Sequence, residues 1–578
     1  MIRVRTFARS VVKQPTWTVA TDFVVLFCGL ACFYGIVLIA RYWSGGFVRV
    51  AQIDRSPTAL PVYAFYSLVR ILIAYFLSLV FALGYGWLAA HKPRLEAPLL
   101  AILDVLQSIP VLSFLPGVML ALVALIPTRQ LGLEIGVVIL IFTGQVWNMA
   151  FSFYSSLKSI PRELHEATRI YKLSPLQRFF TLELPYGTIG LVWNSMVSVA
   201  GGWFFLMACE MFVLGKRDFR LPGLGSYLQT AASASDTVSI LWGLATMIGI
   251  IVLLDQLVWR PIIAWSDKFK FEQVESVAVP RSPILEALRR SQAVKVLSKR
   301  IVRPLAEQFV LSLAQKAQRP RPEKKTDKAL SYTLAVLIIA VLATVTIYAS
   351  TRAIGLLRDV DRSNFLLTLK SAAATFLRVN ASLLIASAWT IPAGVAIGFH
   401  PRLARIAQPL AQIAASVPAT ALFPILLLGI VQLGGGLGVG SIALMLLGTQ
   451  WYILFNVIAG AMAIPSDLRE VADVFNLSKR DRWKTVILPG IFPYLITGLV
   501  TASGGAWNAS IVAEYFHMKD QTLSTLGLGA AISRATDTGN FPLLLLSTIV
   551  MATMVVTVNR LVWRPLYRLA ETRFRLDA

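Results

Sequence analysis

The chain is one unit written twice, and no other feature constrains its fold as much. Leu257-Val258-Trp259-Arg260-Pro261 recurs letter for letter at Leu561-Val562-Trp563-Arg564-Pro565, an offset of 304 residues in a chain of 578. At the same spacing Ile160-Pro161 returns as Ile464-Pro465, Leu184-Pro185 as Leu488-Pro489 and Trp147 as Trp451. Upstream the offset is 308. There Arg70 matches Arg378, Pro93-Arg94-Leu95 matches Pro401-Arg402-Leu403, and Ser108-Ile109-Pro110 matches Ser416-Val417-Pro418. Two copies in one chain predict a pseudo-symmetric assembly with its working part at the shared axis.

Hydropathy sets the class of fold. Charged residues make up 15% of the chain, against roughly 25% in soluble domains. Apolar runs recur at 23–40, 71–90, 241–258, 330–348 and 543–558, near the length of about 20 residues that crosses a bilayer as helix. The expected fold is all-α: a polytopic membrane protein with about 12 transmembrane helices in two parallel homologous six-helix halves. Residues 1–265 form the first half (core 60–265), 266–329 a basic linker, and 330–578 the second half (core 368–565). Spans are expected near 22–42, 63–90, 97–126, 132–157, 187–213 and 241–265, then near 330–349, 370–398, 405–428, 438–463, 490–513 and 540–563.

The formal net charge of +24 suggests nucleic acid in a soluble protein. Here its placement argues against nucleic acid and for membrane lipid. Arg3, Arg5, Arg9 and Lys13 precede the first apolar run, and the alternate loops are basic. The linker 266–328 holds 15 Lys+Arg against 7 Asp+Glu. The positive-inside rule then places the N-terminus, linker and C-terminus in the cytoplasm. Within the linker, 284–318 fits either an amphipathic helix or a solvated tether. In both Trp-Arg-Pro motifs, the proline is expected to end a helix at the inner interface. Cys28, Cys32 and Cys209 lack metal-ligand spacing, and so do His91, His165, His400 and His517. No metal site and no catalytic residue is expected.

Segments 160–185 and 464–489 agree at 10 of 26 positions. Each reads as a helix, a turn, a second short helix, and a Leu-Pro break into the next span. The candidate loop residues are Pro161, Glu166, Ala167, Leu173, Leu184 and Pro185 in the first copy, and Pro465, Glu470, Ala472, Leu477, Leu488 and Pro489 in the second; all but Ala167 and Ala472 are matched at the offset of 304. Glu166-Ala167-Thr168 followed by Leu184-Pro185, and Glu470-Val471-Ala472 followed by Leu488-Pro489, resemble the EAA loop of ABC-importer permeases. The glycine of that motif is Lys172 in one copy and Asn476 in the other. The wider pattern is similar to the nitrate/sulfonate/taurine-type branch. It includes the Ser-Ile-Pro and Ser-Val-Pro segments, and the runs from Trp203 to Glu210 and Trp507 to Glu514.

That resemblance implies an inner-membrane, channel-forming subunit for a small oxyanion or organic sulfonate. It implies two separate ATP-binding subunits docked on the loops, and an extracytoplasmic substrate-binding protein. No G-x-x-x-x-G-K-[ST] segment occurs in the chain. ATP and Mg are therefore expected on the partner, and this chain is expected to bind no cofactor and to be a permease subunit rather than an enzyme. The rival reading is an ion-coupled secondary transporter with parallel repeats. It needs an ionisable site at mid-membrane, for which the untwinned Asp104 and Asp255 are poor candidates.

Charge inside a membrane is costly and tends to be paired. Arg70 and Glu210, and Arg378 and Glu514, fall at similar depth and are expected to pair, as struts or beside a gate. Candidate pathway residues are Gln107, Ser108, Gln145, Trp147 and Asn148, with Gln412, Ser416, Thr420, Gln450 and Trp451 in the second copy; Asn194 and Asn508 lie on the fifth spans. Polar groups also join helices to one another, so packing is the alternative for each. The pairs Gly201-Gly202 and Gly504-Gly505 read as close-packing or kink positions.

Overall fold

The computed structural model describes residues 53–126, 129–214, 217–234, 236–269, 328–432, 434–518 and 521–573, and the isolated positions 304 and 308. The expected span at 22–42 and the segment 284–318 lie outside the described residues. Among the described residues, eight helices are long and apolar enough to cross a membrane. In the first half these are Pro57–His91, Leu131–Lys158, Pro175–Glu210 and Thr237–Ser266; in the second, Arg362–Phe399, Leu437–Ala463, Lys479–Ala513 and Phe541–Ala570. A further helix, Lys328–Arg358, covers the expected seventh span.

The expected single spans at 97–126 and 405–428 are each two helices. Pro93–Ser108 is followed by Val111–Leu125, and Pro401–Ser416 by Ala419–Gln432. The cause is the proline in each Ser-x-Pro. The residue before proline is driven out of the helical region, and Ile109 (ψ 123°) and Val417 (ψ 117°) are extended.

Other prolines do not stop their helices. The expected Leu-Pro breaks at 184–185 and 488–489 are absent, and helix continues through both. Each is preceded by a five-residue π-turn, Phe179–Glu183 and Trp483–Ile487. The Leu184 N–H donates to the Phe179 carbonyl, five residues back. Proline lacks an N–H and its ring crowds the preceding turn; widening the helix by one residue relieves that crowding. The Trp-Arg-Pro motifs behave alike. π-Turns at Asp255–Trp259 and Asn559–Trp563 lead into helices Arg260–Ser266 and Arg564–Arg573, so these prolines do not end helices as expected.

Small residues set how closely the spans approach. On Leu60–His91 the buried stripe is Ser67, Ala74, Ser78, Ala82, Gly86 and Ala89, while Phe65, Leu72, Phe76 and Val80 are exposed. In lipid, helix association rests on close packing rather than on hydrophobic burial against water. Gly86 lies against Phe153 and Ala150, and its twin Gly394 against Val457 and Leu454. One continuous core joins the halves. Helix Val111–Leu125 packs on Leu488–Ala513 of the second half, and Ala419–Gln432 packs on Leu184–Glu210 of the first.

Two elements were not anticipated between the last two spans of each half. A short antiparallel hairpin, Val213–Leu214 with Arg217–Asp218, precedes helix Leu224–Ser233. Its counterpart pairs Tyr515–Met518 with Gln521–Ser524 before helix Leu528–Thr538. Each hairpin's first strand touches the short helix of the other half.

Candidate functional site

At the hairpin end of each half, a carboxylate is buried against the start of the short helix. Glu210 closes its span and is fully buried. It accepts hydrogen bonds from Ser67 Oγ (2.7 Å), Arg70 Nη1 (2.7 Å) and the Gly225 N–H (2.8 Å). Ser67 Oγ in turn accepts from the Leu224 N–H at 3.0 Å, and Arg70 Nη1 also donates to the Pro222 carbonyl at 2.8 Å. The carboxylate thus meets N–H groups at the start of that helix, which have no carbonyl partner within the helix. Gly223 makes this approach possible, since a methyl there would overlap the Glu210 carboxylate.

The second half repeats the arrangement. Glu514 accepts from Thr375 Oγ1 (2.8 Å), Arg378 Nη1 (3.0 Å) and the Gly529 N–H (2.8 Å), and a methyl at Gly527 would overlap it. Thr375 Oγ1 accepts from the Leu528 N–H at 2.8 Å. The arginines differ. Arg70 Nε and Nη2 form a fork onto Glu134, both at 2.6 Å. Arg378 Nη2 reaches only Thr525 Oγ1 at 2.9 Å, and its Nη1 also donates to the Leu526 carbonyl at 2.6 Å.

The twin loops lie at the opposite end. Helix Arg162–Ile170 is followed by Pro175–Arg178, and Ser466–Val474 by Lys479–Arg482. Both turns are closed by the residue standing where the EAA motif has glycine: Lys172 and Asn476 both have φ 48°. The Leu173 N–H donates to the Thr168 carbonyl and the Leu477 N–H to the Ala472 carbonyl, the Schellman closure that calls for a left-handed residue. Ser174 and Ser478 cap the next helices through the Gln177 and Asp481 N–H groups.

Glu166 and Glu470 are exposed, as are Pro161 and Pro465, while Ala167 is half-buried and Ala472 buried. Leu173 is half-buried and Leu477 exposed; Leu184 and Pro185 start one span, Leu488 and Pro489 the other. The tips present bare apolar side chains: Ile170 and Tyr171 are each 78% exposed, Val474 77% and Phe475 73%. Behind the first loop, Glu183 accepts from Arg178 Nε (2.5 Å) and Trp87 Nε1 (3.1 Å) and contacts His91 Nε2 at 2.9 Å. Behind the second, the position of Glu183 is Ile487. Arg482 bonds Asp473 at 2.6 Å, and Arg469 lies over the Phe399 ring.

The pathway candidates separate into groups. Trp147 packs edge-on to Phe81, and Trp451 edge-on to Trp389. Gln450 Oε1 accepts from Trp389 Nε1 at 3.2 Å, so these three hold the second spans to the fourth. Asn194 bonds Ser152 Oγ on the neighbouring span. Gln107 Nε2 approaches Asn148 Oδ1 at 3.4 Å. Gln145 and Thr420 are buried, with side-chain polar atoms that have no partner. Ser108 and Ser416 end the helices Pro93–Ser108 and Pro401–Ser416, the second of which also carries Gln412.

The sequence reading missed Ser67, Thr375 and the tripeptides Gly223-Leu224-Gly225 and Gly527-Leu528-Gly529. A signal existed: the Gly-Leu-Gly pair recurs at the offset of 304 and Ser67/Thr375 at 308. Glu134 had no such signal, because Gly438 stands at the equivalent place.

Comparison with known proteins agrees with this architecture. A family described as "Binding-protein-dependent transport system inner membrane component" matches the chain twice, over 57–265 and 390–575, more than half of its length. The nitrate import permease protein NrtB of Leptolyngbya laminosa is 30% identical over 190 residues, 33% of this chain and 64% of that protein. The bicarbonate transport system permease protein CmpB of Synechococcus elongatus is 33% identical over 141 residues, 24% of this chain and 49% of that protein. The taurine transport system permease protein TauC of Escherichia coli is 28% identical over 164 residues, 28% of this chain and 56% of that protein. The chain spans between about half and less than two-thirds of the length of these relatives. With the family's domain present twice in tandem, the chain belongs to the binding-protein-dependent transport system inner membrane components.

Proposed function

We propose that the chain is the translocating subunit of an ATP-driven importer for a small oxyanion or organic sulfonate. In this reading it sits in a bacterial-type inner membrane with its termini and linker in the cytoplasm. Two ATP-binding subunits dock on segments 160–185 and 464–489, and an extracytoplasmic binding protein delivers substrate at the hairpin end. Nitrate, bicarbonate and taurine, the solutes in the relatives' names, are the first to test. The observation that carries the proposal is the pair of bare tips at Ile170-Tyr171 and Val474-Phe475, whose exposures are 78%, 78%, 77% and 73%. Exposed apolar side chains beside charged helices at two equivalent places fit a partner that closes over both. Closure of that partner would move the two loops together and switch the spans between two arrangements.

Cysteines placed at Tyr171 and Phe475 are expected to cross-link to the ATPase in the assembled complex. Glu166→Arg or Glu470→Arg is expected to leave the chain in the membrane while lowering substrate-stimulated ATP hydrolysis. If both cysteines stay freely labelled in the complex, the docking assignment is wrong. A reporter fused after Lys328 should read cytoplasmic and one inserted near Gly435 the opposite side; reversal at either site overturns the orientation.

A further inference from the structure

The two halves meet around one aromatic ring. Tyr452 lies in the middle of helix Leu437–Ala463 of the second half. Its hydroxyl oxygen is 3.7 Å from where a Cβ would stand on Gly201 of the first half, and its ring is 3.5 Å from the same point on Gly505. Gly201 and Gly505 are equivalent positions, 304 residues apart, on equivalent spans. A side chain in contact with both therefore lies at the pseudo-two-fold axis, where a symmetric path must run. The residue equivalent to Tyr452 is Asn148. One half brings a ring to the axis and the other a carboxamide.

At the adjoining glycine, Gly202, lies a polar group with nothing to bind. Gln145 is fully buried, and neither its Oε1 nor its Nε2 has a hydrogen-bond partner. Its Nε2 packs directly on Gly202, next to Gly201. The equivalent of Gln145 is Thr449, whose hydroxyl is satisfied by the Met445 carbonyl at 2.7 Å. One turn along the second fifth span from Gly504, Asn508 Oδ1 is also buried without a partner. A buried amide left wholly unpaired is rare and unfavourable in a native protein. Asn508 is half satisfied, its Nδ2 donating to the Gly504 carbonyl at 3.1 Å, whereas Gln145 is left wholly unpaired, a group whose partner arrives from outside.

We propose that Tyr452 is the plug of the translocation path, and that the Gln145 amide packed on Gly202, with Asn148 one turn along the same span, binds the small oxyanion as it passes. This rests on the importer reading above. The binding groups are neutral donors, because Arg70 and Arg378 are already engaged by carboxylates. A neutral N–H donating to an anion in a dry site gives a charge-assisted bond. It avoids the deep trap that a bare arginine would create, and a transit site must release what it binds.

The experiment has two arms in proteoliposomes. Passive nitrate flux through the full chain, without ATP, reads the plug. Tyr452→Ala is expected to raise it at least tenfold, while Tyr452→Phe keeps the seal. ATP-driven uptake of nitrate and of taurine by the complete complex reads the amide. Gln145→Leu removes an unpaired buried amide without changing its bulk much, so folded yield and Tm should hold. Uptake by this variant should fall at least tenfold, with KM rising. A Gln145 that only fills space would leave uptake unchanged. Unchanged flux in Tyr452→Ala overturns the plug, and unchanged uptake in Gln145→Leu overturns the site. Failure of the importer reading looks different: the unmutated complex takes up neither solute, while the flux arm still decides the plug.

Discussion

The two halves bury the same carboxylate in the same way and neutralise it differently. Around Glu210 there are two acids and one arginine, because Glu134 joins the site; around Glu514 there is one of each, and Thr525 takes the second place on the guanidinium. The helix-start N–H groups and the flanking glycines are common to both. The shared part therefore defines the geometry and the unshared part sets the charge. Duplication gave two copies of a carboxylate cradle, each with its arginine, and what diverged in charge is the arginine's second partner, Glu134 or Thr525.

The largest effect should come from removing an arginine. Arg70→Gln leaves two carboxylates without a cation, whereas Arg378→Gln leaves one. Breaking a buried pair from one side costs about 3–5 kcal/mol, and Arg70→Gln should lie at the upper end with Arg378→Gln below it. Thermal unfolding in nanodiscs measures both. Adding Glu210→Gln to Arg70→Gln should recover part of the loss. A greater loss from Arg378→Gln, or strict additivity in the double variant, breaks the comparison.

Next come the glycines. Gly223→Ala and Gly527→Ala each push a methyl into a carboxylate, and overpacking of this kind costs about 1–3 kcal/mol. The two losses should be nearly equal, since the approach is the same in both halves. A marked difference in Tm would show that the cradles are not equivalent.

Smaller again is the loop turn. A left-handed conformation costs a typical side chain roughly 1–2 kcal/mol, and asparagine is among those that visit it routinely. Lys172→Gly should therefore stabilise by about 1 kcal/mol or somewhat less, given the entropy that glycine adds to the unfolded chain. Asn476→Gly should gain only a few tenths. If Asn476→Gly gains more, the difference between the turns lies elsewhere than in the backbone.

The smallest effect is a response to acid confined to the first half. Glu96 accepts from Tyr154 Oη at 2.6 Å and Lys158 Nζ at 2.9 Å, whereas Ala404 stands at its place in the second half. Burial pushes its carboxyl upward, but the hydrogen bonds from Lys158 and Tyr154 and the lysine's charge outweigh it and hold it below the ordinary glutamate value. A depressed acid stabilises fully above its unfolded value and loses that contribution as pH falls through the folded one. Unfolding followed from pH 7 into the acid range should show a shallow loss below the ordinary glutamate value that Glu96→Gln removes. An identical acid profile in the variant would dismiss this link.

Much of this was legible in the sequence. The repeat, the apolar runs and the loops are local patterns, and residues 70, 210, 378 and 514 stand out because charge is rare in such runs. Proline was the ambiguous letter. In Ser-Ile-Pro it breaks the helix, while in Leu-Pro and Trp-Arg-Pro a π-turn carries the helix through; the outcome depends on packing around the turn. Glu134 could not be read because its partner is 64 positions away and no twin flags it. The edge-on packing of Trp147 and Trp451 on the second spans was not legible either, because Phe81 and Trp389 lie more than 60 positions away. Gln145 is the converse: only burial revealed that its amide has no partner.

The π-turns have a mechanical consequence. From Pro175 to Glu210 the backbone is one uninterrupted rod of 36 residues, about 54 Å at 1.5 Å per residue. Its lower end carries the loop that holds Leu176 and Phe180, and its upper end carries the buried carboxylate. A rod transmits twist as well as thrust. A few degrees of roll imposed at the loop reach Glu210 undiminished, unless the widened turn at Phe179–Glu183 absorbs them. That turn is a compliant joint at the loop end of the shaft, and Glu183, gripped by Arg178, Trp87 and His91, stiffens it in the first half alone. Ile487 gives the second shaft no such grip, so equal torque at the two loops would turn the two carboxylates by unequal angles.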